Sequence, residues 1–311
     1  ETYVAARSRF DKEPRIDNHR FHLTLLAKNA VGYRNLIALV TKANLEGLYY
    51  KPRVDKELLA VHRDGLIALS GCMAGELSRT LLNRSLEEAE GVAREYRDIF
   101  GPENYYIEVM YHPGIEGQQK LTQSLVSLAR GLGIPLAATQ DSHYLAREDK
   151  RAHETLLAVQ TQSDVGEADL FRGEEDFSFI NSDDAYRAFN DLPDAVENTS
   201  KIAEQCSIEL ELGKLSFPSF TPENNATPYE ALRAMTQRGL RARNLTESSE
   251  ALERVEYELN IIETKGYTSY ILVVADLLRF AHESGILTTT RGSAAGSMVG
   301  FLTGKGLAKF K

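Results

Sequence analysis

Residues 105–144 read YYIEVMYHPGIEGQQKLTQSLVSLARGLGIPLAATQDSHY, and this stretch decides the fold class. Within it, 105–112 and 135–144 are short apolar runs of strand type, while 116–133 repeats apolar residues at helical spacing and closes on glycine. The same strand–helix alternation extends towards the N-terminus. HLTLLA (22–27) and GLIALSG (65–71) are further strands, and GYRNLIALVTKANLEG (32–47) and SLEEAEGVAREYRDIF (85–100) further helices. Strands separated by helices predict an α/β domain with a largely parallel sheet or barrel.

The pattern changes at GKLSFPSFTPENNATP (213–228), a polar stretch of turn formers that reads as a linker. Beyond it the chain is helical through YEALRAMTQRGLRARN, SEALERVEYELNIIETKGY and YILVVADLLRFAHESG, the last two closing at Gly266 and Gly285. No internal repeat or low-complexity tract is evident.

The 311 residues carry 36 Lys+Arg against 45 Asp+Glu, a net charge of −9 that argues against a surface devoted to coating nucleic acid. The acidity is confined to the first 227 residues; from Pro228 onward 11 basic residues face 9 acidic ones, so if DNA is touched, this part is expected to touch it. No apolar run is long enough to span a bilayer and ETYVAARSRF lacks a signal-peptide core, which predicts a cytoplasmic protein with no membrane partner. Cys72 and Cys206 give no disulfide framework.

Several potential metal ligands fall at strand ends, where an α/β barrel gathers its site. His22 opens its strand and Cys72 follows LIALSG. Asp141 and His143 follow LAATQ, and strand alternation would set the two on one face. Each has a structural alternative: a hydrogen-bonding histidine, a small buried thiol, a capped turn. Glu108 and His112 border the same region, His153 and Glu154 read as structural at a helix start, and His19, His62 and His282 belong to no constellation. In TTTRGSAAGSMVGFLTG (288–304), after a short strand-like ILTTT, small residues precede an apolar run. Gly292 to Ser297 would offer backbone N–H groups and hydroxyls to a phosphate, with Arg291 supplying charge. Close helix–sheet packing is the competing explanation.

These segments occur in the order and surroundings found in bacterial DNA polymerase III alpha subunits. ETYVAARSRF, the run from FHLTLLA to KPRVD, GLIALSGCMAGE, ATQDSHYLAREDKRAHETLLAVQT and VENTSKIAEQC resemble that family's PHP domain, and RGSAAGS with the helices before it resembles the start of its palm. The resemblance implies a truncated PHP-type (β/α) barrel over 1–212, a linker over 213–228, the mainly helical N-terminal part of a polymerase-beta-like palm over 229–304 and an unmatched tail over 305–311. It implies Glu1, His22, Cys72, Asp141 and His143 as ligands of a cluster of up to three ions, zinc or manganese, and Arg291, Gly292 and Ser293 as triphosphate contacts. Thr290 stands where the family has glycine. The family's first HxH strand, an early Asp and a further His have no counterpart from residue 1 onward, so partial metal binding and an open barrel edge are expected.

The implied function is that of a DNA-directed DNA polymerase extending a primer with deoxynucleoside triphosphates and magnesium. The palm carboxylates would lie past residue 311, leaving no catalytic residue here and a chain not expected to polymerise by itself. Implied partners are primer-template DNA, the sliding clamp, the clamp loader and a proofreading subunit, contacted mostly through other regions. A PHP phosphoesterase or 3′–5′ nuclease, and a metal-stabilised scaffold without catalysis, are the alternatives.

Overall fold

The computed structural model describes residues 1–163, 175–210, 212–213, 217–222, 225–289 and 291–305. Thr290, the tail beyond residue 305 and parts of the expected linker lie outside the described residues. The chain divides into two compact units, Glu1–Leu210 and Glu211–Lys311.

The first unit is built on a six-stranded mixed sheet. Its strands are β1 (Thr2–Ala5), β2 (Arg20–Ala27), β3 (Arg53–Val54), β4 (Leu66–Leu69), β5 (Tyr105–Met110) and β6 (Leu136–Thr139), in the order β3-β1-β2-β4-β5-β6. β4, β5 and β6 run parallel, while β2 is antiparallel to both of its neighbours. The interleaved helices are α1 (Ala30–Leu45), α2 (Lys56–Val61), α3 (Glu76–Asn83), α4 (Leu86–Phe100), α5 (Gln118–Leu132), α6 (Lys150–Thr161), α7 (Ser182–Ala188) and α8 (Pro193–Gln205). Every residue of β4 and β5 is buried, which is why both read as continuous apolar runs rather than alternating ones. Helix starts follow from their caps: Asn29, Asp55, Ser85 and Asn181 each accept backbone N–H groups of the first turn.

The expected elements are present with shifted ends. The strand read over 135–144 stops at Thr139, because Asp141 takes a left-handed backbone (φ 53°) that a strand cannot contain. β1 and β3 were not legible: one is four residues long and the other two. Residues 286–289, expected as a strand, have no regular structure.

β3 anchors a polar network. The Arg53 side chain is wholly buried and donates to the carbonyls of Gly47 (3.1 Å), Asp17 (2.7 Å), Arg9 (3.1 Å) and Asp11 (2.9 Å), pinning the long β1–β2 connection. Asp55, capping α2, also takes the Arg9 main-chain N–H (2.9 Å) and guanidinium (2.9 Å).

The second unit consists of α9 (Pro228–Ala242), α10 (Ser249–Thr264), α11 (Thr268–Glu283), a 3-10 turn (Gly292–Gly296) and a short helix α12 (Met298–Gly300) continued by a π turn (Phe301–Lys305). Leu232, Leu240, Val255, Leu259, Leu272, Val299 and Leu302 form its own core. Thr227 and Glu230 make a reciprocal capping box at α9, and Pro228 occupies the first helical position. Gly239 is required by packing: a Cβ there would lie 2.2 Å from the Leu302 carbonyl oxygen.

Replacing Arg53 with Met removes the guanidinium from the carbonyls of Arg9, Asp11 and Asp17, while Gly47 keeps the Arg53 main-chain N–H, so Arg53→Met is expected to destabilise the first unit by about 3 kcal/mol or more in urea unfolding. Wild-type stability in that variant would show that the guanidinium fills space and nothing more.

Candidate metal centre and glycine-rich turn

The first candidate site forms where three strands deliver ligands. β1 and β2 pair with Tyr3 opposite His22, so Glu1, just outside β1, reaches the His22 ring and its carboxylate contacts Nδ1. Cys72 comes from the loop after β4. Gly71 has φ 84°, and a Cβ on it would lie 2.5 Å from the His22 carbonyl oxygen; only glycine permits so close an approach. The loop is then tied to β2, with His22 N–H donating to the Ala74 carbonyl (3.1 Å). Cys72 Sγ stands 3.6 Å from His22 Nδ1. One ligand atom from each of Glu1, His22 and Cys72 lies within 4.8 Å of the other two.

The donor set fits a metal ion. A carboxylate oxygen, an imidazole nitrogen and a sulfur are ligands zinc accepts, and a half-exposed Glu1 leaves the cluster open to solvent. Burial pushes the Cys72 thiol up, and the negative charges of Glu1, Asp141 and Glu108 add to this against the single N–H donated by Ala74. A cation among these groups would reverse that balance and favour the thiolate.

Asp141 and His143 lie outside the three-ligand group. They adjoin each other, though not by strand alternation: the turn at Asp141 lets His143 Nδ1 donate to the Asp141 carbonyl (2.6 Å), with Nδ1 3.9 Å from the Asp141 carboxylate. The His143 N–H donates to the Phe177 carbonyl (2.8 Å), and its ring meets those of Phe177 and His153 edge-on at 5.6 and 5.3 Å. His112 is buried and stacks against the same Phe177 ring at 4.6 Å.

Glu108 is the residue that sequence reasoning undervalued. It sits buried in β5, accepts from the Thr139 hydroxyl (2.7 Å) and the Gly71 N–H (3.1 Å), and so ties β6 and the Cys72 loop to one carboxylate. Burial pushes its carboxyl above the ordinary range; the two hydrogen bonds oppose this, and Asp141 and Glu1 reinforce it. The signal was available: a carboxylate inside an otherwise apolar strand needs a reason. A separate cleft of about 640 Å³ lies between α5 and the α7–α8 turn, lined by Tyr111, His112 and Phe189 among others; Glu1, His22 and Cys72 are not in it.

In the second unit Arg291, Gly292 and Ser293 are all exposed. The Gly292 backbone is left-handed (φ 66°) and starts the 3-10 turn, which borders a cleft of about 590 Å³ lined by Ser248, Arg254, Ala295, Gly296, Ser297 and Phe301. The start of α12 is not offered to a ligand. The Glu258 carboxylate accepts from Ser297 Oγ (2.8 Å), Met298 N–H (3.1 Å) and Val299 N–H (2.9 Å). Burial alone would raise that carboxyl; the Val299 N–H, the Arg254 guanidinium, the Met298 N–H and the Ser297 hydroxyl outweigh it and hold it below the ordinary range.

A raised carboxyl such as Glu108 stabilises the fold below its unfolded value of 4.5, and that contribution is lost as pH climbs through the folded value. In chelator, Glu108→Gln is therefore expected to melt above wild type at pH 7 and to converge with it below about pH 4. A constant difference across that range would mean the Glu108 charge does not bear on stability.

Comparison with known proteins follows this geometry. The PHP domain family matches residues 1–112, which contain Glu1, His22, Cys72 and Glu108, and the bacterial DNA polymerase III alpha NTPase domain matches residues 230–305, which contain Glu258 and the glycine-rich turn. DNA polymerase III subunit alpha of Treponema pallidum is 40% identical over 97% of the chain and 26% of that protein. The Thermus aquaticus subunit is 35% identical over 98% of the chain and 30% of its own length, and that of Borreliella burgdorferi 36% identical over 97% and 26%. The chain thus spans between a quarter and a third of the length of these curated relatives. Among the described residues no helix is long and apolar enough to cross a membrane. With one match in each unit and relatives aligned along nearly all of it, the chain is similar over almost its whole length to part of the bacterial DNA polymerase III alpha subunits.

Proposed function

We propose that this chain works as part of a bacterial replicative DNA-directed DNA polymerase, which extends a primer on its template with deoxynucleoside triphosphates. The observation that carries the proposal is the union, in one chain, of a PHP match bearing a convergent ligand set and a polymerase III alpha NTPase-domain match bearing the exposed Arg291–Ser293 turn. In this reading residues 1–212 are a PHP domain whose mixed sheet is the wall of an incomplete (β/α) barrel, 213–228 link it to the early, mainly helical part of a polymerase-beta-like palm over 229–304, and 305–311 are an unmatched tail. A free-standing phosphoesterase would have no use for the second unit.

Glu1, His22 and Cys72 would hold zinc or manganese, with Asp141 and His143 contributing from the β6 side and Glu108 fixing the Cys72 loop from behind. When bound, the ion supplies Lewis-acid chemistry suited to phosphoester hydrolysis, which in a replicase would be a 3′–5′ nuclease activity. Arg291, Gly292 and Ser293 would contact the triphosphate, Arg291 by charge-assisted hydrogen bonds and the other two through backbone N–H groups. Magnesium would enter with the nucleotide, held by carboxylates supplied by other parts of the polymerase. Primer-template DNA is the substrate in this reading, the sliding clamp, clamp loader and proofreading subunit are the partners, and the cytoplasm is the place of work.

Elemental analysis of the purified chain is expected to find bound zinc or manganese, lost in a His22→Ala, Cys72→Ala double variant and reduced in an Asp141→Ala, His143→Ala one. Metal-free wild type would remove the PHP centre from the proposal. Independently, dATP with magnesium is expected to protect residues 291–293 from amide exchange, and Arg291→Ala to weaken dATP binding about tenfold.

A further inference from the structure

The α10 helix buries a stripe of Ala251, Val255, Glu258 and Leu259. Three of these are apolar, and the carboxylate among them occupies a position where leucine would pack without any desolvation cost. Its surroundings account for it. Glu258 reaches 39 to 41 residues along the chain to the Ser297 hydroxyl and the Met298 and Val299 N–H groups, while Arg254 Nε, one turn earlier on α10, donates to the same carboxylate at 2.6 Å. Ser297 Oγ in turn accepts the Gly300 N–H (2.9 Å). On the opposite side Gly239 lets α9 approach the Leu302 backbone too closely for any side chain. The segment that follows the exposed turn is therefore gripped from two helices, whereas Gly292–Gly296 has no buried residue of its own.

We infer that Glu258 is a positioning residue for nucleotide binding: by fixing Ser297 to Val299, it sets the place and attitude of the Gly292–Ser293 turn at which the triphosphate docks. This inference rests on the triphosphate reading of that turn. The α12 N–H groups of Met298 and Val299 that a phosphate would otherwise seek are occupied by Glu258, which leaves the exposed turn before them for the phosphate, and its orientation depends on how firmly the following residues are held. The carboxylate is not itself a member of the unit's apolar core, which runs from Leu232 to Leu302. Holding the unit together and aiming the turn are therefore distinguished by measuring both.

The test uses the full chain as Glu258→Gln and Glu258→Ala, with Glu256→Gln as a control, since Glu256 is on the same helix but exposed and paired with Arg233 (2.7 Å). Amide exchange is followed over 291–300 and over α9 to α11, and dATP with magnesium is titrated. Both Glu258 variants are expected to exchange faster over 292–300 with α9 to α11 still protected, and to bind dATP about tenfold more weakly, with Gln milder than Ala and the control unchanged. Faster exchange with unchanged dATP affinity would overturn the inference, leaving Glu258 a structural cap. Unaltered exchange in both variants would overturn it as well. Wild type that fails to bind dATP would sink the triphosphate reading itself, and this role with it.

Discussion

A guanidinium buried without exposure to water is the constraint around which the first unit is arranged. Arg53 resolves its own cost by donating to carbonyls that belong to a loop and not to a sheet, at Arg9, Asp11 and Asp17, together with Gly47 at the end of α1. Those contacts tether the long β1–β2 connection, itself mostly exposed, to β3 at Arg9, Asp11 and Asp17. β1 is only four residues long, and its pairing with the two-residue β3 would be a marginal edge without them. Because Glu1 is the residue before β1, the placement of its carboxylate beside His22 depends at one remove on an arginine in the neighbouring edge strand.

Both units use polar groups where apolar packing alone would leave the chain ambiguous. Glu108 joins β5, β6 and the Cys72 loop; Glu258 joins α10 to the residues after the glycine-rich turn. Each carboxylate is buried, yet burial pushes both in the same direction and the outcomes differ. Glu258 meets a cation and main-chain donors that win; Glu108 meets two donors and the charges of Asp141 and Glu1, and burial wins. The contrast separates a carboxylate that is complete as it stands from one whose surroundings favour an additional positive charge.

Much of the fold was legible because its strands and helices obey simple periods. The helices of 30–45, 86–100 and 118–132 were readable from apolar spacing, and the buried parallel strands from continuous apolar runs. What escaped was governed by contacts remote in sequence. β1 and β3 are too short to show a period, and the end of β6 is set by the turn at Asp141. Of the candidate ligands, the structure draws Glu1, His22 and Cys72 into one group, a juxtaposition that no spacing announces because it arises from β1–β2 register and the loop at Gly71. The capping of α12 by Glu258 was equally hidden, since nothing near residue 297 in the chain points to residue 258.

Gly71 also bears on how much order a ligand would have to impose. With its backbone pressed to within less than a side chain's width of β2 and its N–H bound to Glu108, the loop carrying Cys72 has its shape set by contacts within the fold. Anything that entered between Cys72 and His22 would therefore quench little chain entropy in that loop.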